Sequence, residues 1–334
     1  MKTTKKLFVA MALVALSALT AEARSWRINH DAMQRPDFAD INAAMASSDV
    51  VAGDTLYLDP GCGLTTDQTI SKQVTVIGCG YFRADAPHAM ASVLGQISIN
   101  APYTKIEGVI FGSAVNVRAS NVILERCKVS GEIRIGNGNT TAQNVTVRQC
   151  YAVRVVGQGK TAMNSAYCTI ENCIIMHNGD YGVISDLYFP TIRNCYLREA
   201  HSSSSLSESC IFHSVSHATV VNSIYVNAPK SSQIWSGSDT EQNQNNISSA
   251  TEGNTEAAIF SLAGGDDRRY QLKEDSPARG AAADGGDCGP FGGATPYVLS
   301  GLPAGHPYYT KAVIAPRSEN DKVKVSLQIK MQNE

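Results

Sequence analysis

Tryptophan is nearly absent from this chain, with two in 334 residues, and aromatics make up only 7%. The composition therefore does not advertise a broad aromatic platform for stacking sugars. A basic excess is missing too. Lys and Arg number 28 against 30 Asp and Glu, which argues against nucleic acid, whose phosphates call for a strongly basic surface. Beyond residue 23 no apolar stretch approaches the roughly 18 residues of a membrane span, so no membrane insertion is expected. The nine cysteines contain no CxxC pair and no Cys/His spacing of zinc type, so no metal is expected.

What the chain does have is a phrase that returns at a near-constant interval. It reads Val122-Ile-Leu-Glu-Arg-Cys127, Val145-Thr-Val-Arg-Gln-Cys150, Cys168-Thr-Ile-Glu-Asn-Cys173, Pro190-Thr-Ile-Arg-Asn-Cys195 and Ala218-Thr-Val-Val-Asn-Ser223. Val74 to Cys79 and Thr104 to Val109 fit the same frame. A fixed period of about 22 residues signals stacked units, each too small to bury its own apolar face. Within the phrase, β-branched residues alternate with charged ones, which predicts a strand. Gly78, Gly108, Arg126, Gln149, Asn172, Asn194 and Asn222 occupy the next position. Gly and Asn tolerate positive φ, so a tight bend is predicted there, with Arg126 and Gln149 as exceptions that are either strained or differently bent. A strand, a bend and another strand per period leave no room for a useful helix. The fold class is all-β, a parallel β-helix solenoid.

The recurring cysteines then stack inside the solenoid at about 4.8 Å spacing, as small buried hydrophobes. The second strands include Gln96 to Ile99, Val115 to Val117, Glu132 to Ile135, Val153 to Val155 and Gln233 to Trp235. Their alternation predicts an outward column of Ser98, Asn116, Arg134 and Arg154. A rival register, aligning Gly136–Gly138 with Gly157–Gly159, shifts the later strand by one and turns Arg154 inward, which is costly for a charge; the first is preferred, with a bulge near Val156. In the repeated phrase Glu125, Arg148, Glu171 and Arg193 stack with alternating sign, as a solvated salt-bridge ladder.

Four segments follow. Residues 1–23 have a basic front, a short apolar run and Ala21-Glu-Ala23, the pattern of a secretory signal, so the mature chain is expected to be secreted or periplasmic. Residues 24–52 form an N-terminal cap, in which Phe38, Ile41 and Met45 fall at helical spacing behind Asp37 as N-cap. Residues 53–260 are the coils. Residues 261–334 are a Gly- and Pro-rich exit segment expected to lie over the upper end, followed by a last strand near Lys322–Ile329 that packs on the body or pairs with Lys311–Ala315.

The capping helix, the stretch from Gly53 to Gly61, Val74 to Gly80 and the repeats together resemble the right-handed parallel β-helix of the pectate-lyase-like superfamily, of the exported Bacteroidetes type. The resemblance covers roughly residues 37–293 and supplies the handedness. It implies polysaccharide as partner and, for the enzymes on this fold, either Ca²⁺ and a basic residue (lyases) or paired carboxylates (hydrolases). Their patterns are missing from this chain: there is no Asp pair on a central coil and no Gly-His-Gly, and Asp266-Asp267 falls in the exit segment. Arg154 to Thr161 nearly spells a phosphate-binding loop, but Arg154 replaces the first Gly and no helix pattern follows.

Three functions remain open. The leading expectation is binding of an extended glycan, acidic or not, through Asn116, Arg134 and Arg154 with Trp235 further along, needing no cofactor. A divergent lyase or hydrolase would use His177, Asp180, Asp186 and His213 on neighbouring late coils, with Ca²⁺ if a lyase. The third is a structural or adhesive role.

Overall fold

The computed structural model describes residues 23–81, 91–159, 162–179, 181–200, 210–226, 234–302, 307–314, 322 and 325–331. Residues 1–22 of the signal-like segment and Asp180 lie outside them. The described chain is a parallel solenoid of a ten-stranded and a fifteen-stranded sheet, with a separate two-stranded hairpin. Each coil runs along the ten-stranded sheet, turns at the bend, and then crosses two facets of the larger sheet. The first of these, the strap facet, holds Lys128–Val129, Tyr151–Ala152, Ile174–His177, Tyr196–Glu199 and Ile224–Val226 in successive rungs. The second, the open facet, stacks Ile97–Ile99, Val115–Val117, Ile133–Ile135, Val155–Gly157, Ile184–Ser185, Phe212–His213 and Trp235–Ser236. Strands Lys128–Gly138 and Tyr151–Gly159 run through the corner and join the facets.

Alternation decides what is inside. Val76, Ile106, Leu124, Val147, Ile170, Ile192 and Val220 of the ten-stranded sheet are all fully buried and meet the inward files of the two facets. At the bend, Gly108, Arg126, Gln149, Asn172, Asn194 and Asn222 have φ between 50° and 67°, as the repeat predicts, and Asn245 (φ 54°) extends the series by one rung. Gly78 is different. Its φ is not left-handed, and its lack of a side chain serves space: a Cβ would lie 2.8 Å from Val109 Cγ2.

The cysteine ladder does more than fill volume. Cys127, Cys150, Cys173 and Cys195 are free, buried thiols, and each Sγ lies 3.4–3.6 Å from a carbonyl of the preceding rung, on Ile106, Leu124, Val147 and Ile170. Cys173 Sγ also receives the backbone N–H of Cys150, the same position one rung below, at 3.4 Å. Ser223 Oγ accepts from Cys195 N, and Asn246 Oδ1 accepts from Ser223 N. The position selects small side chains that both give and take a hydrogen bond, because the left-handed bend leaves this buried N–H without a ladder partner. Burial pushes the Cys127 and Cys173 thiols well up and Cys168 up to about 12, which keeps them protonated and unreactive.

Both ends differ from expectation. The helix begins later, over Ile41–Ala46, with Asp40 as N-cap accepting from Ala43 N at 2.7 Å. Asp37 instead accepts from Arg27 N, and Phe38 bridges to Ile28. Strand Ser25–Ile28 lies beneath Thr55–Leu58, so the sheet starts before Gly53. The helix buries Ile41, Ala44 and Met45, and Gln68 Oε1 accepts from Ile41 N and Asn42 N.

The exit segment does not lie over the upper end. It runs down the side as a strap, from Cys288 beside Asn245 to Tyr297 and Ser300 beside Tyr81 on an early coil. Bend side chains hold it: Asn172 Nδ2 donates to Pro290 O (3.0 Å) and Gly292 O (2.7 Å), and Gln149 Nε2 to Pro296 O (2.7 Å). Beneath it a second apolar core joins Ile174, Tyr196 and Ile224 of the strap facet to Ile259, Phe260, Tyr270 and Tyr297. Tyr151, Ile174, Tyr196 and Ile224, which follow Cys150, Cys173, Cys195 and Ser223, point outward into this second core under the strap, whereas Lys128, after Cys127, is not part of it. The final hairpin pairs Pro307–Ile314 with Val325–Met331, the second of the two expected arrangements.

Candidate functional site

Of the three faces, the strap covers one and a charge ladder fills another. On the ten-stranded sheet Glu125, Arg148, Glu171 and Arg193 do stack in register. Arg148 Nη2 lies 2.9 Å from Glu125 Oε2 and Arg193 Nε 2.7 Å from Glu171 Oε2, while Lys105 and Arg126 also engage Glu125. Burial works against ionisation of Glu125, but the hydrogen bonds from Arg148 and Lys105 and the Arg126 charge outweigh it and hold its carboxyl below the usual carboxylate range. A carboxyl with a depressed folded pKa stabilises the fold above its unfolded pKa, and that contribution is lost as pH falls through the folded value. Chemical denaturation at stepped pH is expected to show stability falling on acidification below about pH 4, with a shallower fall in Glu125→Gln. An equal slope in the variant would remove Glu125 from the effect.

The open facet is left. Its outward file runs Thr69, Ser98, Asn116, Arg134, Val156, Ser185, His213 and Ser236. Arg154 is not in it. The expected register is off by two: Glu132 pairs with Arg154, and Arg134 with Val156. A bulge in which Ser130 and Gly131 oppose the single residue Val153 lowers the offset between the two strands by one, from 23 residues at Val129–Ala152 to 22 at Glu132–Arg154, and it comes earlier than the expected irregularity near Val156. Gly131 permits it, since a Cβ there would lie 2.7 Å from the Ser113 carbonyl carbon. A shift of two keeps Arg154 outward and replaces an Arg–Arg neighbour pair with Glu–Arg. Residues 154–159 of the phosphate-loop look-alike are part of the strand Tyr151–Gly159.

Glu132 sits between two guanidinium groups. Arg134 Nε donates to its Oε2 at 2.8 Å and Arg154 Nη1 to its Oε1 at 3.2 Å. Burial opposes its ionisation, but the Arg134 hydrogen bond and the two Arg charges prevail and lower its pKa. Arg154 is 8% exposed, and its Nη2 donates to Tyr181 O and Ser185 Oγ, each at 2.7 Å. Arg154 is thus a clamp between coils, whereas the Arg134 side chain is 36% exposed. Among the described residues the Arg134 Nη groups make no hydrogen bond or ion pair, so they are free for an anion. Asn116, one rung below, is buried, with Nδ2 3.5 Å from Ile97 O. Arg118 Nε and His213 Nδ1 are buried with no hydrogen-bond partner among the described residues.

The late-coil group separates. His213 lies edge-on to Tyr181, with ring centroids 5.5 Å apart, one rung above Ser185. Asp186 follows Ser185 at a left-handed corner (φ 56°) and its N–H donates to His213 O. His177 belongs to the strap facet, in register with Glu199, and does not join them. Trp235 belongs to the inward file, stacked on the fully buried Phe212 at 4.1 Å. It closes the core rather than lining an outward face. Among the described residues no group of three or more His, Cys, Asp or Glu is placed to hold a metal ion, and no helix is long and apolar enough to cross a membrane.

Sequence reasoning passed over Glu132 as the partner of both arginines, and Ser185 and Arg118. The signal for Glu132 was its place two residues before Arg134, on the same side of a strand. Residues 96–248 match the family model of the right handed beta helix region, which spans the open facet from Ile97 to Ser236. No curated protein matches the chain in sequence.

Proposed function

We propose that this is an exported protein of pectate-lyase-like type that binds an extended acidic glycan along the open facet. The exposed Arg134 carries the reading: its Nε is fixed by Glu132, and its Nη groups meet no partner among the described residues. A guanidinium oriented in this way is suited to a glycan carboxylate or sulfate, which it meets without first losing side-chain freedom. Arg154 and Asn116 support it, the first by holding Glu132 and the second as the polar floor one rung below. Export rests on the signal-like segment Met1 to Ala23. The test is retention of the purified chain on polygalacturonate, alginate and chondroitin sulfate. Arg134→Gln is expected to weaken retention on the preferred polymer about tenfold, one charge-assisted contact being worth roughly 1.5 kcal/mol or more. Unchanged retention would sink the reading.

A second reading, a lyase, is favoured by one observation: His213, with a buried Nδ1, lies against Tyr181 one rung above the Arg154–Ser185 pair. Such a pair could take a proton beside a carboxylate held by Arg134, with Ca²⁺ as a further aid to that carboxylate. Unsaturated uronide ends formed by the wild type and not by His213→Ala, with and without Ca²⁺, would favour it over binding alone.

A further inference from the structure

A second file of left-handed residues lies at the N-terminal edge of the ten-stranded sheet. It comprises Tyr103, Asn121, Asn144, Tyr167, Phe189 and His217, with φ between 50° and 61°, each immediately preceding a repeat of the phrase. Asn121 and Asn144 adopt this conformation cheaply, and Asn144 Nδ2 faces Asn121 Oδ1 at 3.4 Å. For aromatic side chains the same corner costs about 1–2 kcal/mol each.

Burial does not repay that cost, since Tyr167 is 47% and Phe189 36% exposed. The rings instead stack on one another, Tyr167 on Phe189 (5.3 Å, 16°) and Phe189 on His217 (4.7 Å, 11°). Such pairs contribute about 0.5–1.5 kcal/mol each, so two of them return only part of the strain of three such corners. An asparagine would hold the corner with no strain to offset, so stability does not account for the rings.

Among the described residues the stack leaves one face of Tyr167 without a ring, because the rung below carries Asn144. Asn144 and Asn121 stand one and two rungs below Tyr167 in the same file. With ring surfaces of about 150–250 Å² each, the three exposed fractions sum to roughly 200–300 Å², well short of the about 800 Å² that a protein partner covers. A narrow ligand with an apolar face and a hydroxylated rim fits instead. Glu241, 2.7 Å from His217 Nδ1, and Asp239, which accepts from His217 N, give the upper end of the ridge acidic character and disfavour a polyanion.

We infer that the open face of Tyr167, with the amides of Asn144 and Asn121, is a subsite that stacks one uncharged pyranose ring of a glycan. It does not rest on the acidic-glycan reading of the open facet. The test is calorimetric titration and saturation-transfer NMR with uncharged gluco-, xylo-, manno- and galacto-configured hexasaccharides. Wild-type protein is expected to bind at least one, and Tyr167→Asn, which keeps the left-handed corner that Asn121 and Asn144 already occupy, to bind it about tenfold more weakly, or roughly 1.4 kcal/mol. Tyr167→Phe retains the ring and is expected to stay within about threefold of wild type, and Arg134→Gln to match it. No binding of any of the four hexasaccharides, or equal binding by Tyr167→Asn, overturns the inference; loss in Arg134→Gln with Tyr167→Asn unaffected moves the site to the open facet.

Discussion

Asn172→Ala is expected to lower stability by roughly 3–4 kcal/mol and to loosen the C-terminal strap. Two losses combine. The amide is buried, and its Nδ2 satisfies both Pro290 O and Gly292 O; without it two carbonyls are left unpaired under the strap, each at a cost of about 1–1.5 kcal/mol. Alanine must also adopt φ near 51°, which asparagine tolerates and alanine resists by about 1 kcal/mol. Asn172→Gly separates the terms, since glycine removes the hydrogen bonds but accepts the conformation. Denaturant unfolding gives the magnitudes, and the rate of proteolytic cutting within residues 288–302 reports the strap. A strap no more cleavable in Asn172→Ala than in the wild type would show that the apolar core beneath it suffices.

Gly157→Ala should be at least as damaging, at about 3 kcal/mol or more. Gly157 is not in a left-handed conformation; the constraint is contact. Its Cβ would fall inside the van der Waals envelope of Asp186 O, 2.8 Å from the Asp186 carbonyl carbon and 3.0 Å from Ser165 Cβ. Two backbones cannot yield as a flexible side chain can, so the rungs Val155–Val156 and Ile184–Ser185 must part. Arg154 would then lose Tyr181 O and Ser185 Oγ and release Glu132, which links this packing defect to the glycan face. Hydrogen exchange over residues 182–187, read beside thermal unfolding, is the measurement. Protection equal to wild type would mean that the corner absorbs a methyl group without parting.

The bend residues show why part of the molecule was legible. A left-handed position favours Asn or Gly wherever it occurs, so the requirement is written once per coil and repetition makes it visible. Arg126 and Gln149 are readable because their neighbours in the series are Asn and Gly. The aromatic ridge was equally available, one residue ahead of each phrase at Tyr167, Phe189 and His217. Whole-chain composition hid it, because a few rings become a surface feature only when rungs stack. The offset of Arg154 from Arg134 had no such signal. Alternation fixes which way a side chain points but is blind to a shift of two, and the bulge at Ser130–Gly131 that sets the final offset of 22 residues depends on Gly131 fitting against Ser113.

The sequence by itself determined the solenoid, its rung length, the inward aliphatic files, the cysteine ladder and the alternating charges. All of these follow from local backbone preference and period-two alternation, repeated until they are unmistakable. Only the tertiary structure decided where the exit segment lies, which residues partner Arg154, that Trp235 faces inward and that His177 stands apart from His213. Those features depend on single contacts between distant parts of the chain, such as Asn172 with Gly292, 120 residues apart. A contact made once has no period to betray it, and its energy comes from packing and hydrogen bonds that exist only after the coils have stacked.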